Sequence, residues 1–304
     1  MTFLYSFFFH VFLGVVRITP SMIYFPVVKV LLRLFYVFSP GAKRNALESL
    51  TIAFGAALGL AEKCRLARVS FLNLAEGLAG FIYTFGRPEF AKRYFEFDVD
   101  DLVKFKALTA NGRGAVIGVA HFGPFVWMMY RFIAEGYRVS VVAKPPRGAF
   151  LRAKFSDAFR YIGVRVILSS PLRQSVAESL RAINAGELLF MPVDQNYGAA
   201  GRLFVPFFGK PAATAPGPVI YAQKTGVPFF MAFALPAGGG KFRIKFEGPL
   251  KYSQTGDERA DLTANTGMFT KIVEDYARQY PEQWSWLHRR WKCVPRDNER
   301  ASVT

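Results

Sequence analysis

The sequence predicts an α/β protein in which a mixed sheet is flanked by helices. Between residues 114 and 235, short apolar runs of strand length alternate with stretches of helical periodicity. The run GAVIGVA (114–120) has the continuous apolar character of a buried parallel strand. Further on, VPFFMAFAL (227–235), the turn PAGGG and KFRIKFEG (241–248) predict an antiparallel hairpin. Alternation of this kind places helices on both faces of the sheet.

The other elements follow from the same patterns, taken in chain order. Residues 41–86 carry apolar positions at helical spacing. Further strands are predicted at RVSVVA (138–143), VRVILS (164–169) and ELLFMPV (187–193). Helices are predicted at 124–134, 149–161, 172–185, 215–225 and 260–279.

The composition favours contact with an anionic, apolar partner. The chain has 304 residues, 52% of them hydrophobic, and its formal net charge of +17 gives a pI near 10.0. Such a surplus predicts nucleic acid, an anionic bilayer or a phosphorylated substrate as partner. Zinc-finger spacing and basic-region heptads are absent from the sequence, so nucleic acid is disfavoured and the apolar excess points to a membrane. Two distant cysteines, Cys64 and Cys293, fit a reducing compartment.

The first 40 residues are apolar but interrupted. The run over residues 3–16 is 14 long, shorter than the roughly 20 residues that a spanning helix needs, and Arg17, Pro20 and Pro26 follow it. A buried core hairpin is one interpretation. We favour a membrane anchor over residues 1–40, either one tilted span or a pair of interfacial helices, with the basic body on the cytoplasmic side.

Two polar side chains follow predicted strands and are candidates for chemistry. His121 comes directly after the first strand, and Asp194 follows the fourth, in the segment DQNYG. Ligands of such sheets gather at the carboxyl ends of strands. A neutral imidazole at that edge can take a proton from a substrate hydroxyl, although a structural histidine is the alternative. His10 and His288 are weaker candidates, His10 as an incidental interfacial residue and His288 as a structural or phosphate-facing one.

A basic cluster and an aromatic loop are the other unusual features. The cluster is either a solvated helix face or a surface that binds phosphates, and it comprises Lys144, Arg147, Arg152, Lys154, Arg160 and Arg165. The segment GRLFVPFFGKPAATAPGP (201–218) is interpreted as a rigid apolar loop that lines an acyl-chain channel or packs in the core. Thr214 is a candidate helix cap within it.

Four motifs carry a resemblance to a known family. AHFG after the buried strand, VDQNYG, FVPFFGKPAAT and PEQWSWLHRRWK (281–292) occur in order, preceded by KRNALESLTIAF. In this the sequence resembles the late acyltransferases of lipid A biosynthesis from about residue 40 to residue 292. The resemblance implies a fold like that of the glycerol-phosphate acyltransferases, with residues 41–304 as the acyltransferase domain.

The resemblance also implies an activity. It implies an inner-membrane enzyme facing the cytoplasm, which moves a fatty acyl group from acyl carrier protein or acyl-CoA to a hydroxyl of a glycolipid or phospholipid, without a metal or a cofactor. His121 corresponds to the family's base and Asp194 to the aspartate of its D-Q motif. The residues expected to bind substrate are Lys144, Arg147, Arg152, Arg160, Gln195, Arg289 and Arg290.

One position departs from the family pattern. The family places Glu or Asp five residues after its histidine, and Val126 stands there. Glu135 is 14 residues from His121, roughly 20 Å along a helix, so we expect Asp194 to be the partner. Three outcomes stay open: compensation by Asp194, unaided action of His121 on a more nucleophilic acceptor such as an amine, or a catalytically impaired homologue that binds lipid or a protein partner.

Overall fold

The computed structural model describes residues 11–144, 148–199 and 201–295. Within that part of the chain, one mixed sheet has seven strands: β1 (Phe95–Phe97), β2 (Ala115–Val119), β3 (Val139–Ala143), β4 (Val164–Leu168), β5 (Leu188–Pro192), β8 (Phe229–Gly238) and β9 (Lys241–Glu247). Their order in the sheet is β1-β9-β8-β2-β5-β3-β4. Strands β8, β2, β5, β3 and β4 run parallel, β9 is antiparallel to β8, and β1 is parallel to β9. The predicted mixed α/β fold is confirmed.

The helices cover both faces of the sheet, because the buried strands alternate their side chains between two apolar clusters. Val116 and Leu189 belong to one cluster, and Ile117 and Phe190 to the other. Residues 11–18 are helical (α1), followed by α2 (Ser21–Val37), α3 (Pro40–Phe54), α4 (Leu60–Tyr83), α5 (Val99–Leu108), α6 (Phe125–Ile133), α7 (Ala149–Tyr161), α8 (Leu172–Asn184), α9 (Gly217–Thr225) and α10 (Glu258–Gln279).

The aromatic segment 201–218 is not the loop that the sequence predicts. It forms an antiparallel two-stranded sheet, β6 (Leu203–Phe207) and β7 (Lys210–Thr214). Phe207 and Phe208 are buried and contact the rings of the tryptophans that follow α10, so they pack in the core. Thr214 ends β7, and its hydroxyl donates to Ala212 O instead of capping α9.

The helical stretch predicted over 41–86 is divided between α3 and α4. Gly55 takes a φ of +52° at the end of α3, a left-handed conformation that glycine adopts without steric cost. A short 3₁₀ turn, Gly55–Ala57, joins the two helices.

The amino-terminal helices expose an unusual amount of apolar surface. Of the twenty large apolar side chains exposed among the described residues, thirteen lie between residues 11 and 38. Val27, Val30, Leu31, Leu34 and Phe38 recur at helical spacing and place this surface on one side of α2.

No single helix among the described residues is long and apolar enough to cross a membrane. The pair Ser21–Val37 and Pro40–Ala57 passes that test only when taken together, and it is bent by 81°. Residues 1–10 of the predicted anchor, including His10, lie outside the described residues.

Candidate active site

His121 lies just past the carboxyl end of β2, in a turn that is held by a segment from the far end of the chain. The backbone N–H of Ser285 donates to His121 O at 2.8 Å, and the N–H of Gly123 donates to Gln283 O at 2.8 Å. Between them, Phe122 forms an isolated β-bridge with Trp284. The turn is therefore fixed on both sides of the imidazole.

Glycines allow this turn to pack closely. Gly123 has a φ of +49°, and a Cβ there would lie 2.8 Å from the Gln283 side-chain oxygen. On α4, a Cβ at Gly77 would lie 2.5 Å from Pro124 Cα, and one at Gly80 would enter the Trp127 ring. The sequence therefore lets α4 press against the start of α6, directly behind His121.

Asp194 meets His121 because β5 pairs with β2, so that the carboxyl ends of both strands lie side by side. One carboxylate oxygen, Oδ1, lies 2.8 Å from His121 Nδ1. The other, Oδ2, accepts from the His121 backbone N–H at 2.8 Å and from Trp284 Nε1 at 2.8 Å. The Asp194 side chain is fully buried.

The charge of Asp194 is stabilised despite its burial. Burial by itself raises the pKa of the Asp194 carboxyl, but electrostatic attraction from the adjacent His121 and the hydrogen bonds that His121 donates outweigh this and lower the pKa below its ordinary value. A carboxylate that accepts three N–H donors is the form that this site favours.

This arrangement assigns the tautomer of His121. Because an ionised Asp194 only accepts hydrogen bonds, Nδ1 must carry a proton, and in the neutral imidazole the lone pair therefore lies on Nε2. The amide nitrogen of Gln195 lies 3.0 Å from that Nε2 and donates to it. The Phe125 ring, 4.6 Å from the imidazole between centroids, covers another side.

A second histidine lies against the first. The ring of His288 contacts His121 edge to face, with 4.4 Å between centroids. Burial, and then the proximity of His121, lower the pKa of His288 to about 4. Its buried Nε2 has no hydrogen-bond partner among the described residues. His288 is therefore neutral at physiological pH.

Arg290 is completely buried, unlike the exposed Arg289. Its guanidinium donates to Ala213 O at 2.6 Å, to Gln195 O at 3.3 Å and to the Thr214 hydroxyl. Burial lowers the pKa of Arg290 to about 10. The side chain thus ties the β6–β7 hairpin to the backbone beside Asp194 and faces protein acceptors; its predicted contact with substrate has no support in this geometry.

The predicted basic cluster does not lie at one place. Lys144 follows the carboxyl end of β3, and Arg152 lies in the first turns of α7 that follow it; both are exposed at the same sheet edge as His121. Arg160 precedes β4 and lies toward the opposite, amino-terminal edge, where it pairs with Asp157 at 3.4 Å. Arg147 lies outside the described residues.

Val126 lies on α6 and packs against the apolar cluster that contains Ile117 and Phe190, on one face of the sheet. Glu135, the next acid along the segment, pairs with Arg131 and Lys106. Among the described residues, the carboxylate in contact with His121 is that of Asp194.

Sequence reasoning did not find Trp284 as a donor to Asp194, or the contact between His288 and His121. Both come from the segment after α10, which has no periodic pattern that would place it. The only signal was its motif PEQWSWLHRRWK, whose polar and aromatic residues have no evident role in a helix or strand.

The fold and site define an α/β protein in which a histidine is paired with a buried carboxylate at the carboxyl edge of a mixed sheet. The chain belongs to the family of bacterial lipid A biosynthesis acyltransferases, whose pattern it matches over residues 1–293.

Relatives of the chain carry names from the same process. It is 25% identical over 205 residues to a lipid A biosynthesis palmitoleoyltransferase of Escherichia coli, a match covering 66% of this chain and 62% of that protein. It is 34% identical over 127 residues to a lipid A biosynthesis lauroyltransferase of the same species, covering 40% of each. A lipid A biosynthesis acyltransferase of Haemophilus influenzae is 26% identical over 128 residues, covering 40% of this chain and 39% of that protein. The matched segment thus spans less than two thirds of these relatives.

Proposed function

We propose that this protein is a membrane-associated acyltransferase that moves a fatty acyl group from a thioester, acyl carrier protein or acyl-CoA, to a hydroxyl of a glycolipid, as in late lipid A acylation. The observation that carries the proposal is the hydrogen bond between His121 Nδ1 and the buried carboxylate of Asp194 at 2.8 Å. It places the basic lone pair of His121 on Nε2, the ring nitrogen that does not face Asp194.

In the proposed reaction, His121 is the general base. Its Nε2 takes the proton of the acceptor hydroxyl while the oxygen attacks the thioester carbonyl carbon. The new C–O bond forms, the C–S bond breaks, and the imidazolium returns the proton to the departing thiolate. Asp194 holds the ring and stabilises the imidazolium while it exists, as the carboxylate of a serine-protease triad does.

The exposed cations at the same edge suit the anionic parts of both substrates. Lys144 and Arg152 follow β3, two strands from β2, and Arg289 is adjacent in sequence to His288. We infer that these three bind phosphates of the carrier arm or of the acceptor lipid. Arg160 lies at the other edge of the sheet and is not included.

The exposed apolar side of α2 supports association with a bilayer. A soluble monomer rarely exposes contiguous apolar patches above a few hundred Å². An interfacial helix buries such a side at the boundary between headgroups and acyl chains, and basic residues nearby bind anionic lipids. We infer that residues 11–38 lie on the membrane, at the cytoplasmic face of the inner membrane, instead of spanning it.

The proposal is tested with the full-length protein purified in detergent. The protein is incubated with lauroyl-CoA and a lipid A precursor that has a free hydroxyl, and mass spectrometry follows the acceptor. Wild type should add the mass of one lauroyl chain, and His121→Ala should not. Arg181→Ala, an exposed change on α8 far from the carboxyl edge, is the matched control.

Equal yields from wild type and His121→Ala would refute the assignment of the base. If wild type and Arg181→Ala both fail to transfer an acyl group to the lipid A precursor from lauroyl-CoA or from lauroyl acyl carrier protein, the proposed acyl transfer is refuted.

A further inference from the structure

The lone pair on which the proposed reaction depends is already occupied by the protein. Gln195 places its amide nitrogen 3.0 Å from His121 Nε2, the distance of a normal hydrogen bond. An acceptor hydroxyl needs this same position to give up its proton. The base is therefore capped while no substrate is bound.

The backbone that carries the cap is fixed while its side chain is free to move. Arg290 donates to Gln195 O at 3.3 Å, and the next residue, Asn196, accepts from the Cys293 backbone N–H at 3.0 Å. Asp194 on the other side is buried. The Gln195 side chain, by contrast, is exposed. Exposed side chains change rotamer in picoseconds to nanoseconds, so the cap can open without movement of the loop.

We propose that Gln195 is a specificity-determining residue that favours acyl transfer over hydrolysis, a proposal that rests on the function proposed above. Without the cap, water can donate its proton to Nε2 and attack the thioester carbonyl. The bond between the water oxygen and the carbonyl carbon then forms, the C–S bond breaks, and the imidazolium gives the proton to the thiolate. The products are a fatty acid and a free thiol, and the acyl donor is wasted.

The two nucleophiles differ in what they bring to the site. A glycolipid acceptor binds through its sugars, phosphates and acyl chains, and part of that binding free energy can displace the amide. Water has no such contacts. Breaking the cap costs water one neutral hydrogen bond, whose net free energy corresponds to about a three- to tenfold change in an equilibrium.

The test compares two rates in the same full-length protein in detergent. Thiol release from lauroyl-CoA without acceptor measures hydrolysis, and acceptor mass gain measures transfer. Gln195→Ala removes the amide, and Gln195→Asn keeps it on a side chain one methylene shorter, which does not reach Nε2. Both variants should raise the ratio of thioester hydrolysis to acyl transfer about three- to tenfold above that of wild type. The double variant His121→Ala/Gln195→Ala should show neither rate.

The opposite results are distinguishable from a failure of the proposed function. If wild type transfers acyl groups but both Gln195 variants keep the wild-type rate of hydrolysis, the cap does not protect the thioester and the proposal is overturned. A rise in KM for the acceptor without faster hydrolysis would make Gln195 an ordinary substrate contact. If wild type itself shows no His121-dependent transfer, the proposed function is refuted, and the proposed role of the Gln195 cap is refuted with it.

Discussion

The change Asp194→Asn tests the site most directly, because it alters the charge without altering the shape. Oδ2 of Asp194 accepts from two donors that cannot reverse, the His121 backbone N–H and the Trp284 indole. The amide oxygen of an asparagine must therefore take that position. Its NH₂ group then faces His121 Nδ1, which can only accept. The proton of the imidazole moves to Nε2, and the base loses its outward lone pair.

The magnitude follows from that reversal. An aspartate-to-asparagine change in a serine-protease triad, which imposes the wrong tautomer in the same way, costs about 10⁴ in kcat. We expect a loss of about 10³ to 10⁴ in the rate of acyl transfer, equivalent to about 4–5.5 kcal/mol of activation free energy. Stability should change little, because the exposed Gln195 amide can turn its oxygen toward the new Nε2–H, so that the groups around the pair keep partners. Asp194→Ala would leave the Trp284 indole N–H and the His121 backbone N–H without their partner, each costing about 1–3 kcal/mol, and is the less informative variant.

The assay measures single-turnover acyl transfer by mass spectrometry, with thermal unfolding as the control for folding. Imidazole ¹⁵N shifts report the tautomer separately from activity. A folded Asp194→Asn protein that transfers within tenfold of the wild-type rate would refute the assignment of Asp194 as the partner of the base. The assignment would also be refuted if Asp194→Asn lost most of its rate of acyl transfer while the His121 tautomer stayed unchanged.

Three further changes probe the surroundings of the pair. Val126→Glu should not raise the rate, because Asp194 already occupies Nδ1, and should cost about 1–3 kcal/mol in urea unfolding through burial of a carboxylate among apolar groups. Folding lowers the pKa of His288 from its ordinary value near 6.5 to about 4. As the pH falls, the unfolded chain therefore binds a proton at His288 before the folded protein does. The contribution of His288 to stability should thus fall by about 3 kcal/mol from pH 7 to 4. Urea unfolding at each pH should therefore show a smaller fall in His288→Gln than in wild type, by about that amount. Arg290→Lys should lose about 2–3 kcal/mol of unfolding free energy, since an ammonium cannot span the guanidinium's acceptors, whereas the exposed Arg289→Lys should stay within about 0.5.

The sheet could be predicted from the sequence wherever burial makes a strand continuously apolar. The predicted GAVIGVA and ELLFMPV contain β2 and β5, both buried along most of their length. The same reasoning missed β6, because Pro206 interrupts its pattern. Proline is tolerated there since β6 belongs to a sheet of only two strands and is an edge. The three-residue β1 is too short to give a periodic signal.

The site could be predicted only as far as strand order allows. His121 and Asp194 each follow a strand, and the expectation that they meet depends on β2 and β5 being neighbours, which they are. The ring of His288 and the indole of Trp284 arrive from a segment more than 160 residues after His121, outside any regular element longer than a bridge. Such contacts are set by tertiary packing, and local periodicity carries no information about them.

The position of Val126 can now be understood from the packing around it. Asp194 holds three groups at once: the imidazole, the backbone N–H of the same histidine, and the indole that bridges back to the turn. A carboxylate that positions the backbone and the ring together leaves Nδ1 no free hydrogen-bonding direction for a second acid. An acid on α6 would therefore be redundant for the tautomer, and valine there adds apolar contact instead. Asp194 can therefore orient His121 without an acid on α6, and the rate of acyl transfer by Asp194→Asn tests whether it does so.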